Sequence, residues 1–473
     1  MRRALLVTLT LLAFAPAPAV AQKPPAHPDV VPAADAEFVT AVNRAVDRAD
    51  AWLAKQQEPD GGWGTYNAHM GQAFVAGPTA LTLLARIAAG ANQHSPELER
   101  GFAFLKKNPP KYTYEVGLTL MAFDARAAPV GERQALDRMN AAELAKYAFP
   151  RTLQPGDKEF LEPLVVRLTK ERYHECWSYG NYGTGFSARN ADMSNTQYAA
   201  LGLKAASRLG FDFDRKLFAD LLDYVLDHQE TKGPTVKLLD VREGNNGKQK
   251  DYARKVESRG FGYSYGTRDG AELCASRACI AIACIELALD ELMTKGKGEA
   301  LARARKRKKD ATAAIDSQLA WLQEHFSVTE NVTGDGGNGF GFGGPGGPGG
   351  GGPGGPPGGG PGGPPGEPPG GGPGGGAGGG GAGGGPGGPP AMGPGAGFYY
   401  YYLYALERVG ALTQRKWIGR HDWYREGAEE LFRRQSQDGS WTSGGPESAE
   451  VDTCFALLFL KRATLRGSVT GDQ

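Results

Sequence analysis

The chain has 473 residues, a formal net charge of +1 and 22% charged residues, which is the balance of an ordinary globular protein. This balance gives no global field that attracts nucleic acid or an anionic membrane surface, so we expect neither as a partner. Glycine is in excess at 71 residues, and most of the excess lies in one tract.

The N-terminus has the pattern of a secretory signal peptide. Residues 1–3 are basic in character, residues 4–14 form a short apolar run, and residues 19–21 read Ala-Val-Ala. This predicts a signal peptide over residues 1–21 and an exported protein, periplasmic or secreted. The apolar run is too short to span a bilayer as a helix, and no later segment is long and apolar enough, so we expect no transmembrane segment. Residues 22–34 form a Pro-rich leader that we predict to be disordered.

Five cysteines follow, and an odd number leaves at least one thiol unpaired within a monomer. Cys279 and Cys284 lie in an apolar helical segment and are typical of small buried hydrophobes. Cys176 and Cys274 both occupy loop-to-helix positions, and export permits a disulfide between them. The sequence leaves that pairing open.

From residue 35 onward, half-polar helical segments alternate with segments that are apolar nearly all round. We count six such pairs, and the half-polar helices begin near residues 42, 98, 158, 213, 312 and 425. Because a helix that is apolar all round must be buried, we expect the apolar helices to form an inner barrel and the others to sheath it. The sequence therefore predicts an all-α fold, an α/α toroid of six helical hairpins. Its repeats occupy residues 35–333 and 398–466, followed by a short tail over 467–473.

Residues 334–397 are almost pure Gly and Pro, and they interrupt the fifth pair. The Gly-X-Y triplets are broken by runs of Gly, which argues against a collagen helix. With almost no side chains to bury, this insertion is predicted to be disordered. A basic run over residues 303–309 precedes the fifth outer helix; we interpret it as a solvated helix face rather than a polyanion site.

The motif that repeats most clearly is Gln-x-x-Asp-Gly-Gly-Trp over residues 57–63, matched by Gln-Asp-Gly-Ser-Trp over residues 437–441. With their helix pairs these resemble the prenyltransferase and squalene-oxidase repeat, the family of squalene cyclases, protein prenyltransferase β subunits and complement thioester domains. The resemblance implies the same α/α toroid. It also implies a structural role for the motif, in which Gln caps neighbouring helix ends and Trp stacks between units.

The chemistry of that family can be compared with this chain position by position. Squalene cyclases protonate their substrate with the central Asp of Asp-x-Asp-Asp-Thr-Ala at the start of an inner helix. The two best matches place Val451 and Ser194 at that position, so the cyclase acid looks absent. The Cys-Gly-Glu-Gln run of thioester domains is not found either.

Protein prenyltransferases hold zinc with Asp-x-Cys plus a later His, which Asp452 and Cys454 match in part. The third ligand would be His69 or His174, both in loops. We favour the simpler interpretation, in which Asp452 or Thr453 caps the last inner helix and Cys454 is a core residue. We therefore predict no metal and no cofactor, with zinc as the weaker alternative.

The loops that lead from outer to inner helices gather at one mouth and carry many aromatic side chains. Aromatic rings with few convergent acids favour an apolar small molecule or an extended peptide as ligand. We therefore predict a non-catalytic binding module, and the alternative is a terpenoid-cyclase-like or prenyl-transfer-like enzyme with a displaced acid or a zinc centre. The predicted ligand-binding residues are Trp63, Tyr66, Trp177, Tyr179, Tyr182, Phe261, Tyr263 and Tyr265.

Overall fold

The computed structural model describes residues 33–64, 66–68, 72–144, 146–179, 191–243, 249–266, 273–333, 398–444 and 448–465. The predicted signal peptide, the leader up to residue 32, the Gly/Pro insertion and the tail lie outside these residues. The chain divides into two compact units, residues 1–41 and 42–473. In the first, the described residues form the opening turns of helix α1 (Ala33–Lys55), where Thr40 Oγ1 donates to the Ala36 carbonyl at 2.8 Å. The second unit contains the rest of α1 and every other described helix and strand.

Two layers of helices alternate along the chain. The outer helices are α1, α3 (Pro96–Lys107), α7 (Asp157–Lys170), α9 (Lys216–His228), α11 (Gly298–Glu324) and α13 (Trp423–Arg434). The inner helices are α2 (Ala76–Ala89), α4 (Thr113–Ala127), α8 (Met193–Arg208), α10 (Ala275–Lys295), α12 (Tyr399–Leu412) and α14 (Ala449–Leu460). Two short helices, α5 (Glu132–Arg138) and α6 (Ala141–Leu144), stand between the second inner and the third outer helix.

The inner helices form a closed ring. Each packs against the next in chain order, from α2 through α4, α8, α10 and α12 to α14, and α14 packs back against α2. Their side chains are buried nearly all round, as the apolar segments predict. The predicted all-α toroid of six helical hairpins is confirmed.

Glutamine side chains tie neighbouring hairpins together at the ends of outer helices. Gln57 Nε2 donates to the Gly61 carbonyl of its own loop and to the Glu97 carbonyl of the next outer helix, at 3.0 and 2.8 Å. Gln435 repeats this at the last junction, where it donates to the carbonyls of Gly439 and Ala45, both at 2.9 Å. The sixth hairpin is thus bonded to the first in the outer layer as well as in the inner one.

Strands occur only as short hairpins within the described residues. They are β1 (Tyr66–Ala68) with β2 (Gln72–Phe74), β3 (Thr235–Glu243) with β4 (Gln249–Glu257), and β5 (Trp417–Ile418) with β6 (His421–Asp422), each pair antiparallel. The longest hairpin pairs Thr235 with Glu257 and packs against α11. It occupies the polar stretch between α9 and α10, where the more buried Val236, Leu238 and Asp240 recur with the period of two that suits a strand.

The basic run before the fifth outer helix belongs to that helix, because α11 already begins at Gly298. Arg303 pairs with Asp220 and Asp223 of α9, and Arg307 pairs with Asp223 and Asp227. The run therefore forms about two turns of this helix, partly solvated and partly paired with the neighbouring hairpin. No helix in the described part of the chain combines the length and the apolar character that a bilayer span requires.

Candidate functional site

Three tryptophans lie fully buried between the outer and inner layers, one in each of three repeats. In every case the backbone N–H donates to a threonine of the inner helix and the indole Nε1 donates to a carbonyl of the outer helix. The threonine distances are 2.9 Å for Trp63 to Thr79, 3.0 Å for Trp177 to Thr196 and 2.9 Å for Trp441 to Thr453. The indole distances are 2.7 Å to Leu53, 2.8 Å to Leu168 and 2.9 Å to Leu431. These residues join the two layers of a hairpin.

The structure therefore separates the predicted ligand-binding residues into different places. Trp63 and Trp177 have no exposed surface, and Phe261, which is bridged through its backbone to Gln229, is only 2% exposed. Tyr66 lies in β1, and Tyr182 lies outside the described residues. Whether any of them binds a ligand stays a prediction.

Tyr179 and Tyr263, by contrast, lie inside the ring of inner helices. They belong to a set of rings from all six hairpins that we call the aromatic basin: Phe74, Tyr114, Tyr179, Tyr198, Tyr263, Tyr401 and Phe455. The ring centroids of Tyr114 and Tyr198 are 4.4 Å apart, and those of Tyr114 and Tyr179 are 6.0 Å apart. The basin brings aromatic rings and phenol hydroxyls together inside the ring of inner helices.

A buried carboxyl is connected to the basin by hydrogen bonds. Asp192 is the N-cap of α8, and its Oδ1 accepts from the Asn195 backbone N–H at 2.8 Å and from Ser194 Oγ at 2.9 Å. Ser194 Oγ lies 2.8 Å from the hydroxyl of Tyr263, and either oxygen can be the donor. We call Asp192, Ser194 and Tyr263 the proton relay.

The environment of the proton relay favours protonated groups. Burial raises the pKa of Asp192, although the hydrogen bonds from Asn195 and Ser194 oppose this. Burial and the nearby charge of Asp192 raise the pKa of Tyr263 well above its ordinary value. The Arg277 guanidinium lies over the Tyr263 ring, with Cζ 4.7 Å from its centroid. The hydrogen bonds thus connect the carboxyl of Asp192 to the basin through two hydroxyls that can pass a proton in either direction.

Tyr265 faces a different region. Its hydroxyl donates to Glu175 at 2.8 Å, and its ring stacks on Tyr224 with centroids 5.0 Å apart. It lines an outer cleft of about 220 Å³ between the third and fourth hairpins, together with acidic residues of α9. The acids Asp220 and Asp223 there are already paired with Arg303.

The start of α14 corrects the expected cap. Ser448, rather than Asp452 or Thr453, is the N-cap, and its Oγ accepts from the Val451 N–H at 3.4 Å. Asp452 Oδ2 instead accepts from the backbone N–H of Ser443 at 2.6 Å. The helix begins three residues earlier than its apolar run, so Asp452 lies within the helix.

The residues of the zinc alternative do not form a ligand set in the described part of the chain. Cys454 is fully buried, lies 3.4 Å from Thr82 Oγ1, and burial raises the pKa of its thiol to about 12. No group of three or more candidate ligands occurs among the described residues, and His69 falls outside them. The prediction of no metal and no cofactor stays a prediction. Cys176 and Cys274 are free, buried thiols.

Sequence reasoning missed most of the basin. Tyr114, Tyr198 and Phe455 stand inside apolar helices and look like core positions in the sequence. Ser194 stands out in the sequence only as a residue that replaces the cyclase acid. One sequence feature could have indicated the basin, namely the run of four tyrosines over residues 399–402. A buried helix that carries so many hydroxyls must place them next to hydrogen-bonding partners.

Comparison with known proteins gives few matches. No protein-family model matches the chain, and no curated protein matches it. Among solved structures, the chain is similar to the GH76A α-1,6-mannanase from Salegentibacter sp. HEL1_6, with a TM-score of 0.43 and 10% identity over 89% of this chain and 98% of that chain. An inactive variant of that mannanase in complex with α-1,6-mannotriose gives the same figures.

These findings contradict the prediction of a non-catalytic binding module, because the similar structures are those of an enzyme, a glycoside hydrolase. The mannan substrate is a property of those proteins. The chain's own fold is an α/α toroid, and its basin combines aromatic rings with a buried proton relay.

Proposed function

We propose that the chain is an exported enzyme of the prenyltransferase and squalene-oxidase repeat family that carries out proton-initiated chemistry on an apolar, polyisoprenoid substrate. The observation that carries the proposal is the proton relay from Asp192 through Ser194 to Tyr263, which enters the aromatic basin. The three layer-joining tryptophans and the glutamine bonds between hairpins support the family assignment.

The proton balance of such a step closes within the protein. In one coupled transfer Tyr263 donates its proton to an epoxide oxygen or an alkene carbon as Ser194 donates to Tyr263 and Asp192 donates to Ser194, so the carboxyl of Asp192 is the net source of the proton. A proton lost from a neighbouring carbon of the substrate at the end of the reaction restores Asp192, so an isomerised or cyclised product needs no other reactant. The reversal of the hydroxyl directions is allowed because hydroxyl hydrogens rotate.

The aromatic basin would stabilise the cation that forms. A cation over the face of an aromatic ring gains about 2 kcal/mol or more when it is desolvated. Seven rings in the basin offer several such faces, and Tyr114, Tyr198 and Tyr401 of the inner helices lie next to one another. In squalene cyclases the acid would stand at the position of Ser194. Here the acid is Asp192, two residues earlier, which is the displaced acid of a cyclase-like enzyme.

The test is conversion of squalene and 2,3-oxidosqualene, solubilised in detergent, with products analysed by gas chromatography and mass spectrometry. We expect conversion by the wild type and a loss of about 100-fold or more in Ser194→Ala and in Tyr263→Phe, because each breaks the proton path. Tyr252→Phe is the matched control, since Tyr252 is 45% exposed on β4, away from the ring, and should keep full activity.

A comparison substrate separates the two enzyme classes. α-1,6-Mannotriose should not be hydrolysed. Hydrolysis of that sugar without conversion of either isoprenoid, or full activity in both relay variants, would show that the proposal is wrong.

A further inference from the structure

Arg408 is a fully buried cation at the centre of the toroid. It lies in the second half of α12, with no exposed surface, and its Cζ is 4.0 Å from the ring centroid of Tyr404 and 5.8 Å from that of Tyr198. Burial lowers the pKa of this guanidinium, but the neighbouring tyrosines and Glu407 more than offset the effect, so the group stays charged.

No carboxylate neutralises Arg408 by an ion pair within the described residues. The adjacent Glu407 is bonded elsewhere, because it accepts from the backbone N–H and the hydroxyl of Thr464 at 3.1 and 2.6 Å. Arg86 and Arg126, which are also buried, are ion-paired; Arg126, for example, pairs with both Glu99 and Asp157. An unpaired buried charge is strongly unfavourable unless hydrogen bonds or a counter-ion compensate it.

The hydrogen-bonding groups around Arg408 are short of acceptors. Its Nη2 donates to Gln197 Oε1 at 3.1 Å, while its Nε and Nη1 have no partner among the described residues. Gln197 Nε2 is buried and unpartnered as well. We call Arg408, Gln197 and the Tyr404 ring the arginine cluster. It offers three nitrogen atoms with free N–H groups and a positive charge, which is the complement of an oxyanion.

The arginine cluster is continuous with the aromatic basin. Gln197 Oε1, which accepts from Arg408, also accepts from the hydroxyl of Tyr401 at 3.4 Å. The Tyr198 hydroxyl is buried beside the cluster, where it has no hydrogen bond of normal geometry, and its ring packs between those of Tyr114 and Tyr401. A group that enters through the basin reaches Arg408 by displacing that hydroxyl.

We propose that the arginine cluster binds an oxyanion, and that the preferred substrate is a polyisoprenoid with a carboxylate, which lies on Arg408 while the apolar chain fills the aromatic basin. Squalene and 2,3-oxidosqualene, which lack the carboxylate, are then weaker substrates for the same proton-initiated chemistry. The oxyanion site stands on its own; assigning the oxyanion to the substrate rests on the proposed function. A single carboxylate satisfies the charge and accepts from both free guanidinium nitrogens, whereas a neutral chain leaves them unpaired.

The experiment is isothermal titration of the full chain with sodium dodecanoate, with dodecanol as the uncharged analogue and sodium phosphate as a free oxyanion, all at one ionic strength. We expect saturable binding of dodecanoate and at least 10-fold weaker binding of dodecanol. In Arg408→Met, the affinity for dodecanoate should fall by at least 10-fold. In Arg408→Lys, which keeps the charge, the affinity should fall less. Arg408→Met should fold, because it removes an uncompensated buried charge without leaving another behind.

Arg415→Met is the matched control, since the Arg415 side chain is only 11% exposed and pairs with Asp240, away from the arginine cluster. Its loss should leave dodecanoate binding unchanged. Equal binding of dodecanoate and dodecanol, or binding retained in Arg408→Met, would overturn the oxyanion site. Phosphate binding that depends on Arg408, without dodecanoate binding, would keep the site and overturn the assignment to the substrate. Because binding is measured without turnover, failure to convert squalene leaves the oxyanion site standing.

Discussion

Asp452 shows what a single buried carboxyl does to this fold. Its side chain is 1% exposed, its Oδ2 accepts one backbone hydrogen bond from Ser443, and its Oδ1 has no partner among the described residues. Burial raises its pKa to about 7, and the hydrogen bond from Ser443 opposes this only in part. The native state therefore holds a proton here that the unfolded chain releases near its ordinary pKa of about 3.9.

The sign of the effect follows from that difference. The native state binds the proton of Asp452 more tightly than the unfolded chain does. The resulting contribution to the free energy of unfolding is fully present below about pH 4, and it is lost as the pH rises to about 7. Three pKa units correspond to about 4 kcal/mol as an upper bound. We expect Asp452→Asn, which cannot ionise, to remove a large part of the fall in the free energy of unfolding between pH 4.5 and 7.5, measured by urea titration.

Asp438→Asn is the control for this measurement. The backbone and side-chain hydrogen bonds from Ser440 lower the pKa of Asp438, so its titration lies below the window. That variant should leave the slope between pH 4.5 and 7.5 as in the wild type. A slope that Asp452→Asn does not change would mean that other groups cause it.

At the same scale, the sequence predicts some side-chain roles and hides others. The roles of Trp63 and Trp441 follow from their equal place in two repeats, because local spacing sets the bonds that they make. Tyr198 and Arg408 could not be recognised, since their roles depend on α8 and α12 meeting across the ring, 210 residues apart in the chain. In the sequence, a tyrosine that lines the aromatic basin cannot be told from one that only fills the core, because the difference depends on where the partner helix lies.

Among the elements, α4 and α8 make the closest approach in the inner ring. A Cβ on Gly117 would lie 2.3 Å from the Tyr198 carbonyl oxygen, which belongs to the backbone of α8 and cannot move aside alone. We expect Gly117→Ala to push the two helices apart and to lower the free energy of unfolding by about 1–3 kcal/mol or more, the usual effect of overpacking. Thermal or urea unfolding measures it.

Gly77→Ala provides the matched comparison, because Gly77 is also helical and buried but its Cβ would meet nothing closer than the Glu115 side chain at 3.4 Å. This is ordinary van der Waals contact, and Ala favours a helix over Gly, so the variant should be as stable as the wild type or more so. Equal losses in the two variants would contradict a special closeness of α4 and α8.

The positions of the elements are predictable where apolar periodicity is strong, and less so at their ends. All twelve ring helices lie where the alternation of half-polar and apolar segments places them. The start of α11 and the cap of α14 differ from the prediction, because charged residues extend the first and a polar turn precedes the second. The hairpin β3–β4 appears in the sequence only as a polar insertion, since a solvated two-stranded ribbon has a weak apolar pattern.

In the whole molecule, ring closure is the property on which the basin depends, because residues of all six hairpins meet at its centre. The count of six hairpins predicts closure from the sequence, whereas the contents of the ring are visible only in the structure. Closure is visible in both layers: α14 packs on α2, and Arg48 Nη2 donates to the carbonyls of Ser436 and Gln437 at 2.6 and 2.9 Å. A closed ring has no terminal repeat that needs a polar cap.

Closure makes the junction between the last and first hairpins equivalent to an internal one, and this can be tested. Gln435 bonds Gly439 and Ala45 across the closing junction, as Gln57 bonds Gly61 and Glu97 across the first. Each substitution by Leu leaves two carbonyls without their donors, so we expect similar losses of about 1–3 kcal/mol in the free energy of unfolding. Gln134→Leu on exposed α5 should change it little. An open array would instead fray at its ends, so a Gln57→Leu loss with no loss in Gln435→Leu would show that the ring opens in solution.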